Sequence, residues 1–130
     1  MYYKVLNSDL SSAYVGSYSI TFDKREQLSV TYKIGEWTTP RIKGTDLMVF
    51  ESFKDATDFM NRLCWGSKIF TCEIKNPRKK GLFVDGADVR DVLRIAALRL
   101  KHKKFLDQVD KPSLKGTVFC SAVKLLKQVA

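Results

Sequence analysis

Four cations recur between residues 90 and 104 at spacings that put them along one line of a helix. At about 100° per residue, with Arg90 at zero, Arg94 falls near ~40°, Lys101 near ~20° and Lys104 near ~−40°. Ala97 sits in the middle of that line, so a small residue among long cationic ones predicts a shallow basic groove about 20 Å long at roughly 1.5 Å per residue. A groove of that length and charge suits several phosphates of a nucleic-acid backbone, or an acidic protein face. Arg78, Lys79 and Lys80 add charge in the turn before it, and Lys111, Lys115, Lys124 and Lys127 add more after it. Lysine and arginine stems also lie over apolar flanks of ordinary surface helices with their charges in water. The concentration of cations in one half of the chain is what shifts the balance toward an anionic partner.

Aromatic rings are the second requirement for gripping single-stranded nucleic acid, because unstacked bases pile onto exposed rings. Two residues are candidates for such stacking, Trp37 and Tyr32, and core packing accounts for most of the others. Of the chain's 15 rings, the last 57 residues hold only Phe83, Phe105 and Phe119. The rings and the cations are therefore expected on separate surfaces.

Catalytic chemistry finds little to work with. His102, the one histidine, lies among Lys101, Lys103 and Lys104, whose charges oppose its protonation. Glu36, Glu51 and Glu73 are carboxylates without a marked partner, and Asp85, Asp88 and Asp91 fit the first turns of a helix, where the dipole favours negative charge. Cys64, Cys72 and Cys120 match neither a disulfide framework nor a zinc ligand set, and no phosphate-binding glycine loop or dinucleotide fingerprint occurs. No catalytic residue, metal site or cofactor is assigned, and the cysteines are expected to be reduced and mostly buried.

The elements that must carry these groups follow from length and patterning. With 130 residues, 45% apolar and 28% charged, the chain has the size of one globular domain. Residues 1–73 hold 9 basic and 9 acidic side chains, whereas residues 74–130 hold 14 basic against 5 acidic, so the whole excess of +9 lies in the second half. No apolar run approaches the roughly 20 residues of a membrane-spanning helix, and no signal-peptide pattern opens the chain, so a cytoplasmic protein is expected.

Tyr2–Leu6, Ser19–Phe22, Leu28–Ile34, Leu47–Phe50 and Ile69–Ile74 read as strands, the third by strict alternation of Leu28, Val30, Tyr32 and Ile34 with polar residues. Leu82–Val84 is a further candidate. Ser52 caps a helix carrying Phe53, Ala56, Phe59, Met60 and Leu63. A long helix starts near residues 85–88 and runs to about Leu106, burying Val89, Val92, Leu93, Ala96 and Leu100. A last helix is expected to put Val118, Phe119, Ala122, Val123, Leu126 and Val129 on one face. The expected class is α+β, an antiparallel sheet of about five strands with two to three helices packed on one face: a neutral β-rich half, residues 1–73, and a basic helix-rich half, residues 74–130.

Tyr3-Lys4-Val5-Leu6, then Tyr32-Lys33-Ile34-Gly35-Glu36-Trp37, then Pro40, Ile42, Gly44, Leu47–Phe50, Phe53, Ala56 and Phe59, ending in Ile69–Lys75, resembles small accessory proteins of phages and prophages over residues 2–77. That resemblance implies a role in infection, where such viral proteins block host defences, anti-CRISPR proteins among them. The layout is also loosely similar to ADP-ribosyltransferase-like domains, although their Arg, Ser-Thr and Glu triplet is not placed in this chain.

The leading expectation is a non-catalytic binding or inhibitor protein of phage type. It would engage nucleic acid, or a nucleic-acid-binding protein complex such as a host defence effector, through Arg78, Lys79, Lys80, Arg90, Arg94, Lys101 and Lys104. The alternatives are a binder of a nucleotide or other small phosphorylated ligand, a degenerate transferase-like enzyme, and a structural or virion-associated protein.

Overall fold

The computed structural model describes residues 1–11, 30–41, 43–62, 66–79, 97, 100, 101 and 116–130. Their elements in chain order are strands β1 (Tyr2–Asn7), β2 (Trp37–Thr38) and β3 (Leu47–Phe50), helix α1 (Phe53–Met60), and strands β4 (Ser67–Lys75), β5 (Thr117–Cys120) and β6 (Ala122–Gln128). The strands form one sheet in the order β2-β6-β4-β1-β3-β5, with every strand pair antiparallel.

The end strand β5 and β6, next to the opposite end, are consecutive in sequence. β5 pairs with β3 and β6 pairs with β4, yet only Ser121 separates β5 from β6. One nearly continuous strand can border both β3 and β4 only if the sheet curls round on itself. Hydrogen bonds seal the seam: Arg78 and Phe119 exchange both backbone N–H···O bonds at 2.7 Å, and the Ser121 N–H donates to Lys75 O at 2.9 Å. A closed sheet leaves few edges open to another chain, and β2 is added outside the ring, on β6.

Alternation along the strands sorts side chains between the two faces. On the inner face Leu6, Leu47, Val49, Phe70, Cys72, Val118, Cys120, Val123 and Leu125 form one apolar cluster, with Tyr32 packed among them. On the outer face Val5, Met48, Phe50, Ile69 and Phe119 meet Ala56 and Phe59 of α1. α1 starts where Ser52, extended at φ −129°, accepts a hydrogen bond from the Asp55 N–H at 3.1 Å, and the acidic Asp55 suits the dipole of its first turn. Phe53 crosses Tyr3 edge to face at 5.7 Å, which fixes the angle at which α1 lies on the sheet.

Five expectations need correction. The predicted last helix is instead the strand pair β5 and β6. All four residues of β5 are buried, so it reads as an unbroken apolar run whose spacing also fits a helical face, and the Thr-Val-Phe composition favours a strand. The expected two to three helices thus reduce to α1 as the one complete helix among the described residues, and the sheet has six strands rather than about five. Among the described residues of the alternating run, 30–34, there is no regular strand: Thr31 and Ile34 make single bridges to Ser11 and Leu125, and Ile34 is exposed. Leu100, expected on the buried stripe of the long helix, is 61% exposed.

Ala97, Leu100 and Lys101 are helical, as the long-helix reading expects. The remainder of that helix, and the expected strands at residues 19–22 and 82–84, lie outside the described residues.

Candidate functional site

The pairing of β2 with β6 places Trp37 directly across from Lys124, and the pairing of β6 with β4 places Lys124 across from Glu73. These three residues form a row running across the strands on the outer face, beyond the ground covered by α1, which packs on β1, β3 and β4. The Trp37 side chain is 40% exposed. The Lys75 ammonium lies 4.3 Å from the centre of the indole ring and that of Lys124 5.3 Å from it. Lys124 also reaches the Glu73 carboxylate at 3.3 Å. Next to this row β6 carries a bulge opposite the Thr71–Cys72 step, where exposed Leu126 is the extra residue and exposed Lys127 pairs with Thr71.

Trp37 was expected apart from the basic half of the chain. Strand pairing erases that separation, because β2 belongs to the neutral half and β6 to the basic half, and they are neighbours in the sheet. Tyr32, the other expected stacking ring, is corrected by the structure: it is 1% exposed and wedged into the inner cluster, so no ligand can lie on it.

The cations singled out in the sequence divide into three groups. Arg78 is paired with the buried Asp46, and Lys79 with Glu51, so both tie the turn after β4 to the segments flanking β3. Lys101 is exposed on its helical turn. Lys80, Arg90, Arg94 and Lys104 lie outside the described residues. The residues that the sequence left in the background are Lys75, Lys124 and Glu73, whose common face becomes visible only once the β6 register is known.

Inside the curled sheet lies a second unusual group. Lys4 points inward by its alternation with Val5 and is only 8% exposed, with its ammonium donating to Met48 O at 2.7 Å and standing 5.3 Å from the Tyr32 ring centre. Burial lowers its pKa from 10.5 to about 8, against a smaller opposite pull from the Cys120 and Cys72 thiols. The same burial pushes Cys72 and Cys120 up to about 12 and Tyr32 well above its ordinary value. Thiols with so little thiolate are poor nucleophiles, so these two cysteines behave as core residues. The Cys120 thiol approaches Leu47 O at 3.6 Å, while the Tyr32 hydroxyl has no hydrogen-bond partner among the described residues.

Among the described residues no group of His, Cys, Asp and Glu is placed to hold a metal ion, and no helix is long and apolar enough to cross a membrane. The partly exposed ring of Trp37 with two ammonium groups close to it on a sheet face is the arrangement best suited to a ligand. Neither a protein-family model, nor a curated protein, nor a solved structure matches the chain.

Proposed function

We propose that this protein binds single-stranded nucleic acid on the outer sheet face, with a base stacked on Trp37 and phosphates held by Lys75, Lys124 and Lys127. The observation that carries the reading is the half-open indole ring with ammonium groups at 4.3 and 5.3 Å from its centre. The two resting cation–π contacts are together worth about 1–2 kcal/mol at an exposed site, against about 1–3 kcal/mol for a base stacked on an aromatic side chain, so the phosphate contacts of the released lysines decide the balance. A base that takes the ring frees the flexible lysine tips for its own phosphates, so the two gains add. A duplex keeps its bases stacked on each other and offers no such face, which is why a single strand is the fitting form.

Lys80, Arg90, Arg94, Lys101 and Lys104 would supply further backbone contacts in this reading. The chain's charge of +9 would speed encounter with any polyanion. In the infection setting that the sequence layout resembles, a protein of this kind would act by occupying a strand that a host effector needs.

The test is fluorescence anisotropy with labelled single-stranded and duplex oligonucleotides of equal length over a salt series. Tighter binding of the single strand, falling steeply with salt and lost in Trp37→Ala, is the expected result. Equal affinity for both forms, or a Trp37→Ala variant that binds as the parent does, would remove the reading.

A further inference from the structure

We propose that Glu73 gives the Trp37 platform a preference for guanine over the other bases, an inference that rests on the single-strand reading and adds a recognised base to it. Glu73 stands in the same cross-strand row as Trp37, two strands away, at about 10 Å between backbones. Lys124 lies between them, 3.3 Å from the Glu73 Oε2 atom and 5.3 Å from the indole centre, so this oxygen sits within about 9 Å of the ring. A purine stacked over the indole with its outer edge turned toward β4 would bring that edge within reach of the carboxylate.

The chemistry of the edge selects the base. An ionised carboxylate offers two acceptor oxygens and no donor. Guanine alone presents two adjacent donors on its Watson–Crick edge, the N1–H and the exocyclic amino group, which match the two oxygens of one carboxylate. Adenine and cytosine each offer one amino donor beside an acceptor nitrogen that the carboxylate repels, and thymine offers one N–H between two carbonyl oxygens. The Glu73 side chain is 55% exposed and its ion pair with Lys124 uses one oxygen, so the carboxylate is open to a ligand edge. Lys124 would turn from Glu73 to a phosphate when a strand binds. Trp37 and Glu73 belong to strands separated by β6, which fixes their relation within a hydrogen-bonded sheet rather than leaving it to two loops.

The experiment uses the full chain and short single-stranded thymine oligonucleotides with one central guanine, adenine, cytosine or hypoxanthine, read by anisotropy at one salt concentration. The guanine strand is expected to bind about ten-fold more tightly than the adenine and cytosine strands. Hypoxanthine, which keeps the N1–H but lacks the amino group, should fall between them. Glu73→Gln places a donor where an acceptor stood, so the preference should disappear while binding to an all-thymine strand strengthens through loss of a negative charge. Equal binding of all four strands overturns the guanine preference and leaves single-strand binding standing. A Glu73→Gln variant that gains affinity for every strand and keeps the preference also overturns it, since Glu73 would then be only a partner of Lys124. No binding to any strand overturns this inference together with the reading beneath it.

Discussion

Trp37 and Lys124 face each other across the β2–β6 pair, and this single register joins a ring from the neutral half of the chain to a cation from the basic half. Indole and ammonium are 5.3 Å apart. The contact is half-buried, with Trp37 40% and the Lys124 side chain 29% exposed.

Replacing Trp37 by Ala should weaken single-strand binding by about five- to 150-fold, the equivalent of about 1–3 kcal/mol of lost stacking. Trp37→Phe should retain part of it. Thermal unfolding of both variants should fall close to that of the parent, which separates a lost ligand contact from a lost fold.

Lysines that meet phosphates reveal themselves in salt dependence. On a plot of log affinity against log salt, each contact with a single strand contributes about 0.7 to the slope. Lys75→Ala with Lys127→Ala should therefore flatten that slope by about one to two, uniformly across base sequences. An unchanged slope would assign the two lysines to solvent.

Arg78 is expected to behave in the opposite way. It pairs with Asp46, a buried acid, so Arg78→Met should destabilise the fold by about 1–3 kcal/mol in urea unfolding. Its effect on the salt slope of nucleic-acid binding should be near zero. A normal stability with a flattened slope would return Arg78 to the binding surface.

The inward-pointing Lys4 and its two thiol neighbours shape the dependence of stability on pH. Lys4 moves from 10.5 to about 8 on folding. Between those values the unfolded chain holds a proton that the folded chain has released, so stability rises with pH. Cys72 and Cys120 each move from 9.0 to about 12. Above pH 9 the unfolded chain has therefore given up protons that the folded chain keeps, and stability falls. One group rising and then two falling place the maximum near pH ~9. Lys4→Met should abolish the rising limb and raise stability below pH ~8 by about 1–3 kcal/mol, since it removes a buried charge and keeps a side chain of similar length. A variant less stable than the parent at neutral pH would show that the bond to Met48 O outweighs the burial cost.

How far the sequence foretold this depended on whether a signal was local. β1, β3, β4 and α1 were legible because a short apolar run bounded by polar residues, or a Ser52 cap followed by Phe53, Ala56 and Phe59, is written within a few residues. β5 and β6 were not, because the apolar spacing from Val118 to Val129 satisfied one face of a helix equally well. The ring and cations at Trp37, Lys75 and Lys124 were hidden for a different reason. Their proximity is set by the registers of β2 and β4 on β6, between segments distant in sequence, which no local pattern encodes.

The seam at Ser121 also governs the order of events during synthesis. β1 leaves the ribosome before β5 and β6, and the ring that encloses its inner face is completed only by those two strands at residues 117–128. Most of its pairings are therefore distant in sequence, a topology that folds slowly. The nascent chain must hold Leu6, Val49 and Phe70 apart from aggregation until the closing strand arrives, and folding becomes an event that follows translation of β6 rather than accompanying it.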